Sequence, residues 1–286
     1  MGKTFDELTI ADDFMFSKVM LNQRLAKHFL EVILDCKIQS ISYPVYEHFI
    51  DIRYDAKSVR LDVMLEDDTH TVYNLEMQTT TQPGLTKRSR YYQDLIDLDL
   101  LQKGASYNEL NHSLVIFICT FDLFEKDQYI YRFRNVCREL SELELEDGTE
   151  KVFVNTTGHL GNVTEEFKQV MRMFNGLIAE GNFVEELQQE VDRVKLSKDW
   201  RREYMKLHVL LDDTKREGFA EGLTKGEQLA LTRQVCRKLQ KQKSPEDIAE
   251  DLDESLEKIQ QICDIAKEYA PDYDPEVICT QLLSRL

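Results

Sequence analysis

No run of 18 apolar residues occurs in this chain, which excludes a membrane-spanning helix. No Cys-x-x-Cys pair occurs either. The six cysteines, at 36, 119, 137, 236, 263 and 279, are widely spaced, so neither a disulfide framework nor a zinc site is signalled. They read as reduced, mostly buried thiols of a cytoplasmic protein. GxxxxGK[ST] is absent, which removes the phosphate-cradling loop of an NTPase. The opening MGKTFDELTIADDF is too acidic and too polar for a secretory leader, and Asp6 stands where a myristoylation signal carries a hydroxyl residue. Basic charge is scarce: 36 Lys and Arg against 53 Asp and Glu leave a formal charge of −17, which as a total argues against nucleic-acid binding.

What is present outweighs these absences. The 286 residues are 42% hydrophobic, enough for one large domain, or one domain and an appendage, with a real core. The charge is also uneven. Residues 215–243 carry eight basic residues against three acids, and Lys87–Arg90 form a second basic cluster, KRSR. Acids gather at 139–150, 180–192 and 246–257.

Apolar residues from Phe16 to Leu34 recur at helical spacing, so residues 12–36 are expected to form one helix, capped by Asp12 or Asp13. Strands are expected at 43–50, 59–66 and 71–80, followed by a Gln-Pro-Gly breaker and a helix over 85–103 that Gly104 ends. LVIFICT at 114–120 reads as a strand buried on both faces, and 151–155 as a last short strand. Beyond residue 162 the chain is expected to be helical throughout.

Within this pattern RLDVMLEDDTHTVYNLEMQ, residues 60–78, is expected to be a hairpin. Side chains alternate along a strand, so Glu76 and Gln78 project from one face. An odd connecting loop brings Asp62 to the same face. Three residues would set Asp62 diagonal to Glu76, and five would set the two acids directly opposite. Two close carboxylates repel unless a cation lies between them or one holds a proton. Oxygen donors with remaining waters suit Mg²⁺ or Mn²⁺. The plain alternative is a solvated polar face of the hairpin.

The order of motifs resembles the PD-(D/E)XK nuclease superfamily, and more narrowly the Rpn family of recombination-promoting nucleases, also described as transposase-like. The residues that carry the resemblance are DDFMFSKVM (12–20), LDVMLEDDTHTVYNLEMQ (61–78), RSRYYQDLI (88–96), LVIFICT (114–120) and VNTTG (154–158). It covers roughly residues 8–180. The resemblance implies an α/β fold with a mixed sheet flanked by helices, followed by an all-helical C-terminal region. It implies that Asp62 and Glu76 bind a divalent metal, Mg²⁺ or Mn²⁺, with the Met77 carbonyl as a further ligand. The superfamily's lysine is replaced here by Gln78, which can orient a water but carries no charge. Lys87, Arg88 or Arg90 on the next helix could supply that charge. Asp13 matches an acid that some of these nucleases place near the metal, and it also fits a helix cap. Tyr91 and Tyr92 could stack on a base or pack in the core.

The implied activity is metal-dependent hydrolysis of DNA phosphodiesters, with Asp62, Glu76 and Gln78 as the catalytic set and a role in recombination or mobile elements. The alternative is an inactive relative that acts as an interaction or regulatory module through its helical tail. The expected domains are a nuclease-like core over 1–160, a helical extension over 161–243 and a small helix-turn-helix-like tail over 244–286.

That extension contains Gly218, Gly222 and Gly226 at intervals of four, nearly on one helix face. Each glycine costs about 1 kcal/mol relative to alanine in a helix, so close packing or self-association is expected there, giving a homo-oligomer through the C-terminal helices. In the tail, Ser244-Pro245 and Ser255 are helix starts. Lys258 and Lys267 are outnumbered by acids, so protein packing is expected of the tail, with the basic stretch 215–243 as the phosphate contact.

Overall fold

The computed structural model describes residues 3–43, 49–50, 59–60 and 62–284. The first apolar stretch, expected as one helix, forms two: α1 (Asp13–Val19) and α2 (Gln23–Leu34). Asn22 makes the break. Its side-chain oxygen accepts the N–H of Leu25 at 3.4 Å and caps α2, a polar competition with the backbone that apolar spacing does not register.

Five strands follow: β1 (Ile41–Ser42), β2 (Phe49–Ile50), β3 (Val59–Arg60), β4 (Val63–Asp67) and β5 (Val72–Gln78). Of the strand expected over 43–50, residues 44–48 lie outside the described residues. Then come α3 (Leu85–Leu100), β6 (Ser113–Cys119), β7 (Ile130–Phe133) and β8 (Thr149–Asn155). A mixed six-stranded sheet has the order β1-β4-β5-β6-β8-β7, and β2 pairs with β3 apart from it. The central pairs β5–β6 and β6–β8 are parallel; the others are antiparallel. Helix α3 is the crossover that makes β5 and β6 parallel.

β7 was not foreseen. Its signal was present as Tyr131 and Phe133 alternating with Ile130 and Arg132. The two aromatic rings pack around Phe124 and Phe153, while Arg132 reaches Glu150 at 3.4 Å. Two arginines in YIYRFR mask the apolar face of an edge strand.

α3 covers one face of the sheet. Leu85, Tyr92, Leu95 and Ile96 pack there with Met64, Val115, Phe117 and Phe153. α4 (Glu165–Phe174) and α5 (Asn182–Leu196) pack on α1 and α2. Phe16, Phe29 and Phe174 meet with ring centres 5.7–6.0 Å apart. The expected boundary at 160 therefore falls inside a compact unit that runs from Met1 to Tyr204. The amphipathic faces of α4 and α5 bury Phe167, Val170, Met171, Phe183 and Leu187, so both helices complete the core.

α6 (Lys198–Leu239) is a single helix of 42 residues. Its start belongs to the first unit: Lys18 Nζ lies 2.8 Å from Glu203, and Arg201 pairs with Asp6 at 2.6 Å. The second unit, Met205–Leu286, contains the rest of α6 with α7 (Pro245–Leu252), α8 (Leu256–Ala266) and α9 (Pro275–Ser284). Val235, Ile248, Ile259, Ile262 and Ile278 form its core. The tail expected to begin at 244 thus shares a core with the end of α6. Ser244 and Ser255 cap α7 and α8 as expected.

Candidate active site

The hairpin sets the geometry. Glu66 pairs with Val72 and Val63 with Leu75, so residues 67–71 form the connection, the five-residue alternative. Asp67 fixes that turn. Its Oδ1 accepts from Thr69 N at 2.8 Å and Thr71 N at 3.0 Å, and its Oδ2 from Tyr73 Oη at 2.7 Å. Continuing the register by one pair sets Asp62 opposite Glu76.

At that pair the backbone ladder gives way to side chains. Asp62 N donates to Glu76 Oε1 at 3.1 Å, and Met77 N donates to Asp62 Oδ2 at 3.0 Å. Asn74, fully buried two residues before Glu76 on the same face, donates from Nδ2 to Glu76 Oε1 at 3.1 Å. Glu76 is itself 2% exposed. Burial pushes its carboxyl well above the ordinary glutamate range, and the Asp62 charge adds to the effect. The amide donors and the Arg88 guanidinium oppose it. A buried acid held up this way is poised to take either a proton or a cation.

Helix α3 brings the cation of the chain itself. Gly84, with φ 83°, turns the chain into the helix, and Leu85 buries its side chain against the sheet. Arg88 then falls on the inner side. Its guanidinium carbon lies 5.4 Å from the Tyr92 ring centre and 5.3 Å from that of Phe117. Nη1 donates to Gln82 at 3.3 Å, whereas Nε and Nη2 are buried without a hydrogen-bond partner among the described residues. Asn74 Oδ1 and Gln93 Oε1 are likewise buried with no partner among the described residues. Such orphaned groups are costly in a dry interior and are commonly satisfied by water or a ligand.

The structure therefore brings together Asp62, Glu76 and Arg88, with Asn74 as a partner that the sequence reading left out. The alternation that placed Asn74 beside Glu76 was the available signal. Gln78 is half-buried and its Nε2 donates to the Met77 carbonyl at 2.7 Å. Lys87 and Arg90 are exposed on α3. Asp13 lies in the first turn of α1, where its Oδ1 accepts from Phe14 N at 2.7 Å. After burial, it and Asp12 help to push the Tyr204 hydroxyl up. Tyr92 is buried and stacks on Phe117, with ring centres 6.0 Å apart, while Tyr91 is exposed.

The donor set fits a hard divalent cation. Two carboxylates converge, one of them buried and only partly offset by its amide donors and Arg88, beside a carbonyl that keeps a second lone pair and an amide oxygen with no hydrogen-bond partner among the described residues. Among the described residues no group of three or more His, Cys, Asp or Glu side chains is gathered for a metal, so carbonyl, amide and water oxygens would complete the shell. A cleft of about 450 Å³ lies apart from these residues and is lined by His112, Arg134 and Glu150. Among the described residues no helix is long and apolar enough to cross a membrane.

No curated protein and no solved structure matches the chain significantly. A family model does. The model of the PD-(D/E)XK nuclease family transposases matches residues 12–169, more than half of the 286, and spans the hairpin, α3 and β6 to β8. The chain belongs to the PD-(D/E)XK nuclease family transposases.

Proposed function

We propose that this chain is a divalent-metal-dependent DNA endonuclease of the Rpn type, acting in recombination or on mobile elements. The observation that carries the reading is the Asp62–Glu76 pair: two acids brought together where β4 begins beside β5, the inner one buried and its carboxyl pushed up by that burial and by the Asp62 charge. Asp62, Glu76 and the Met77 carbonyl are the residues that would hold Mg²⁺ or Mn²⁺. The chemistry such an ion supplies when bound is polarisation of a phosphoryl oxygen and a lowered pKa for a water.

The protein's own residues do the rest. Asp62 Oδ2 is oriented by the Met77 amide, and Glu76 by the Asp62 and Asn74 amides, so neither carboxylate has to reorganise on binding. Gln78 can turn from the Met77 carbonyl to position a water, but it brings no charge. Arg88 does bring charge. Its two guanidinium nitrogens without a partner among the described residues suit a phosphate oxygen, in the electrostatic role that a lysine at 78 would otherwise fill.

Plasmid nicking at low salt with Mg²⁺ or Mn²⁺ tests the reading. Cleavage that Asp62→Ala and Glu76→Ala abolish is expected; cleavage indifferent to both removes the assignment.

The bond from Gln78 to the Met77 carbonyl favours a second reading, an inactive relative that works as an interaction module, because it occupies both a ligand and the water-positioning group. Calorimetric titration with Mn²⁺ separates the two. Binding that Asp62→Ala removes supports the nuclease, and no binding at all supports the interaction protein.

A further inference from the structure

The middle of α6 presents large apolar side chains to solvent. Met205, Val209, Phe219 and Leu223 are 61, 61, 74 and 56% exposed. A Cβ built on Gly218, Gly222 or Gly226 meets no described atom within 4 Å, so packing against the described residues accounts for none of the three glycines. A long helix with an uncovered apolar stripe is poorly supported on its own.

The stripe has a definite order. Met205, Val209, Asp212, Arg216, Phe219 and Leu223 are spaced 4, 3, 4, 3 and 4 residues apart, the seam spacing of a coiled coil. The order reads the same in both directions about Thr214. If a second copy lies antiparallel with its two-fold axis at Thr214, Met205 meets the partner's Leu223 and Val209 meets the partner's Phe219. Asp212 then meets the partner's Arg216. A parallel, in-register pair would instead oppose Asp212 to the partner's Asp212 and Arg216 to the partner's Arg216, and like charges at a seam are repulsive. Asp212 is half-exposed, with its Oδ2 3.3 Å from His208 Nδ1.

We propose that residues 205–223 pair with a second copy of this chain as an antiparallel two-stranded coiled coil centred on Thr214. The contact is about 27 Å long at 1.5 Å per residue. It closes with two-fold symmetry and consumes the apolar stripe of both copies. It is independent of the nuclease reading.

The test is the mass of the full chain by light scattering and sedimentation equilibrium. The unmodified protein is expected to be a dimer. Asp212→Arg sets arginine against arginine, and Arg216→Asp sets aspartate against aspartate. Each is expected to weaken self-association by about a hundredfold or more. Mixing the two single variants restores opposite charges at both central layers, as does the double exchange within one chain, so both are expected to recover the dimer mass. A monomeric unmodified chain overturns the proposal. So do single variants that stay dimeric, or a mixture of them that remains monomeric.

Discussion

The Arg88 guanidinium lies over the ring of Tyr92, one helical turn further along α3, and over Phe117 on the neighbouring strand. Two aromatic faces thus hold a cation against the sheet while two of its nitrogens find no acceptor among the described residues. If those groups serve a phosphate, Arg88→Ala should lower the nicking rate by about 10²–10³-fold and leave Mn²⁺ affinity nearly unchanged. Arg88→Lys should recover part of the rate. Single-turnover cleavage and calorimetry on the same preparations check both.

Glu76 should make the metal-free protein less stable as pH rises. Its folded carboxyl titrates above the ordinary value of 4.5, so between the two the folded chain holds a proton that the unfolded chain has lost. Stability attributable to this group is complete below the ordinary value and is lost as pH climbs through the raised one. Glu76→Gln keeps the shape without the titration. It should melt higher than the unmodified chain at neutral pH, by an amount on the order of 1 kcal/mol, and the gap should close toward pH 4. Melting curves across pH in chelator measure it.

The same proton links metal to pH. Binding of Mn²⁺ should release protons over the pH range in which Glu76 titrates in the free protein, and affinity should rise with pH until Glu76 is ionised there. Calorimetry in two buffers of different ionisation enthalpy counts the proton. A binding heat independent of buffer would remove Glu76 from the ligand set.

Gly158 should not tolerate a side chain. A Cβ there meets the Gln128 carbonyl oxygen at 2.7 Å and Tyr129 N at 2.8 Å, both backbone atoms. Gly158→Ala should cost about 1–3 kcal/mol in denaturant unfolding. The strand end also holds Asn155, whose Nδ2 donates to the same carbonyl, so Asn155→Ala should compound the loss less than additively.

The strands of the core were legible because they are long and buried: LVIFICT and VYNLEMQ show a run and an alternation that few other structures satisfy. The Asp62–Glu76 pair followed from alternation plus the family likeness. The choice between a three- and a five-residue loop did not, since it rests on Asp67 accepting from Thr69, Thr71 and Tyr73, which no propensity reports. Arg88 could not be separated from Lys87 and Arg90 before the helix phase was fixed by Leu85 and Tyr92. The break at Asn22 and the edge strand at 130–133 were lost to short polar insertions in otherwise apolar patterns. The charge of residues 215–243 looked available for phosphate; Arg233, Lys238 and Lys243 prove to be paired with Glu276 and Asp251.

Asp62, Glu76, Gln78 and Arg88 arrive on one hairpin and the first turn of the helix after it, within 27 successive positions. Their meeting needs little loop closure, whereas joining β8 to β6 must wait for the chain between them. The hairpin and its helix can therefore take shape ahead of the finished sheet. Lengthening the acidic connection at 139–148 should slow maturation of the whole domain while leaving the relative placement of these four side chains intact.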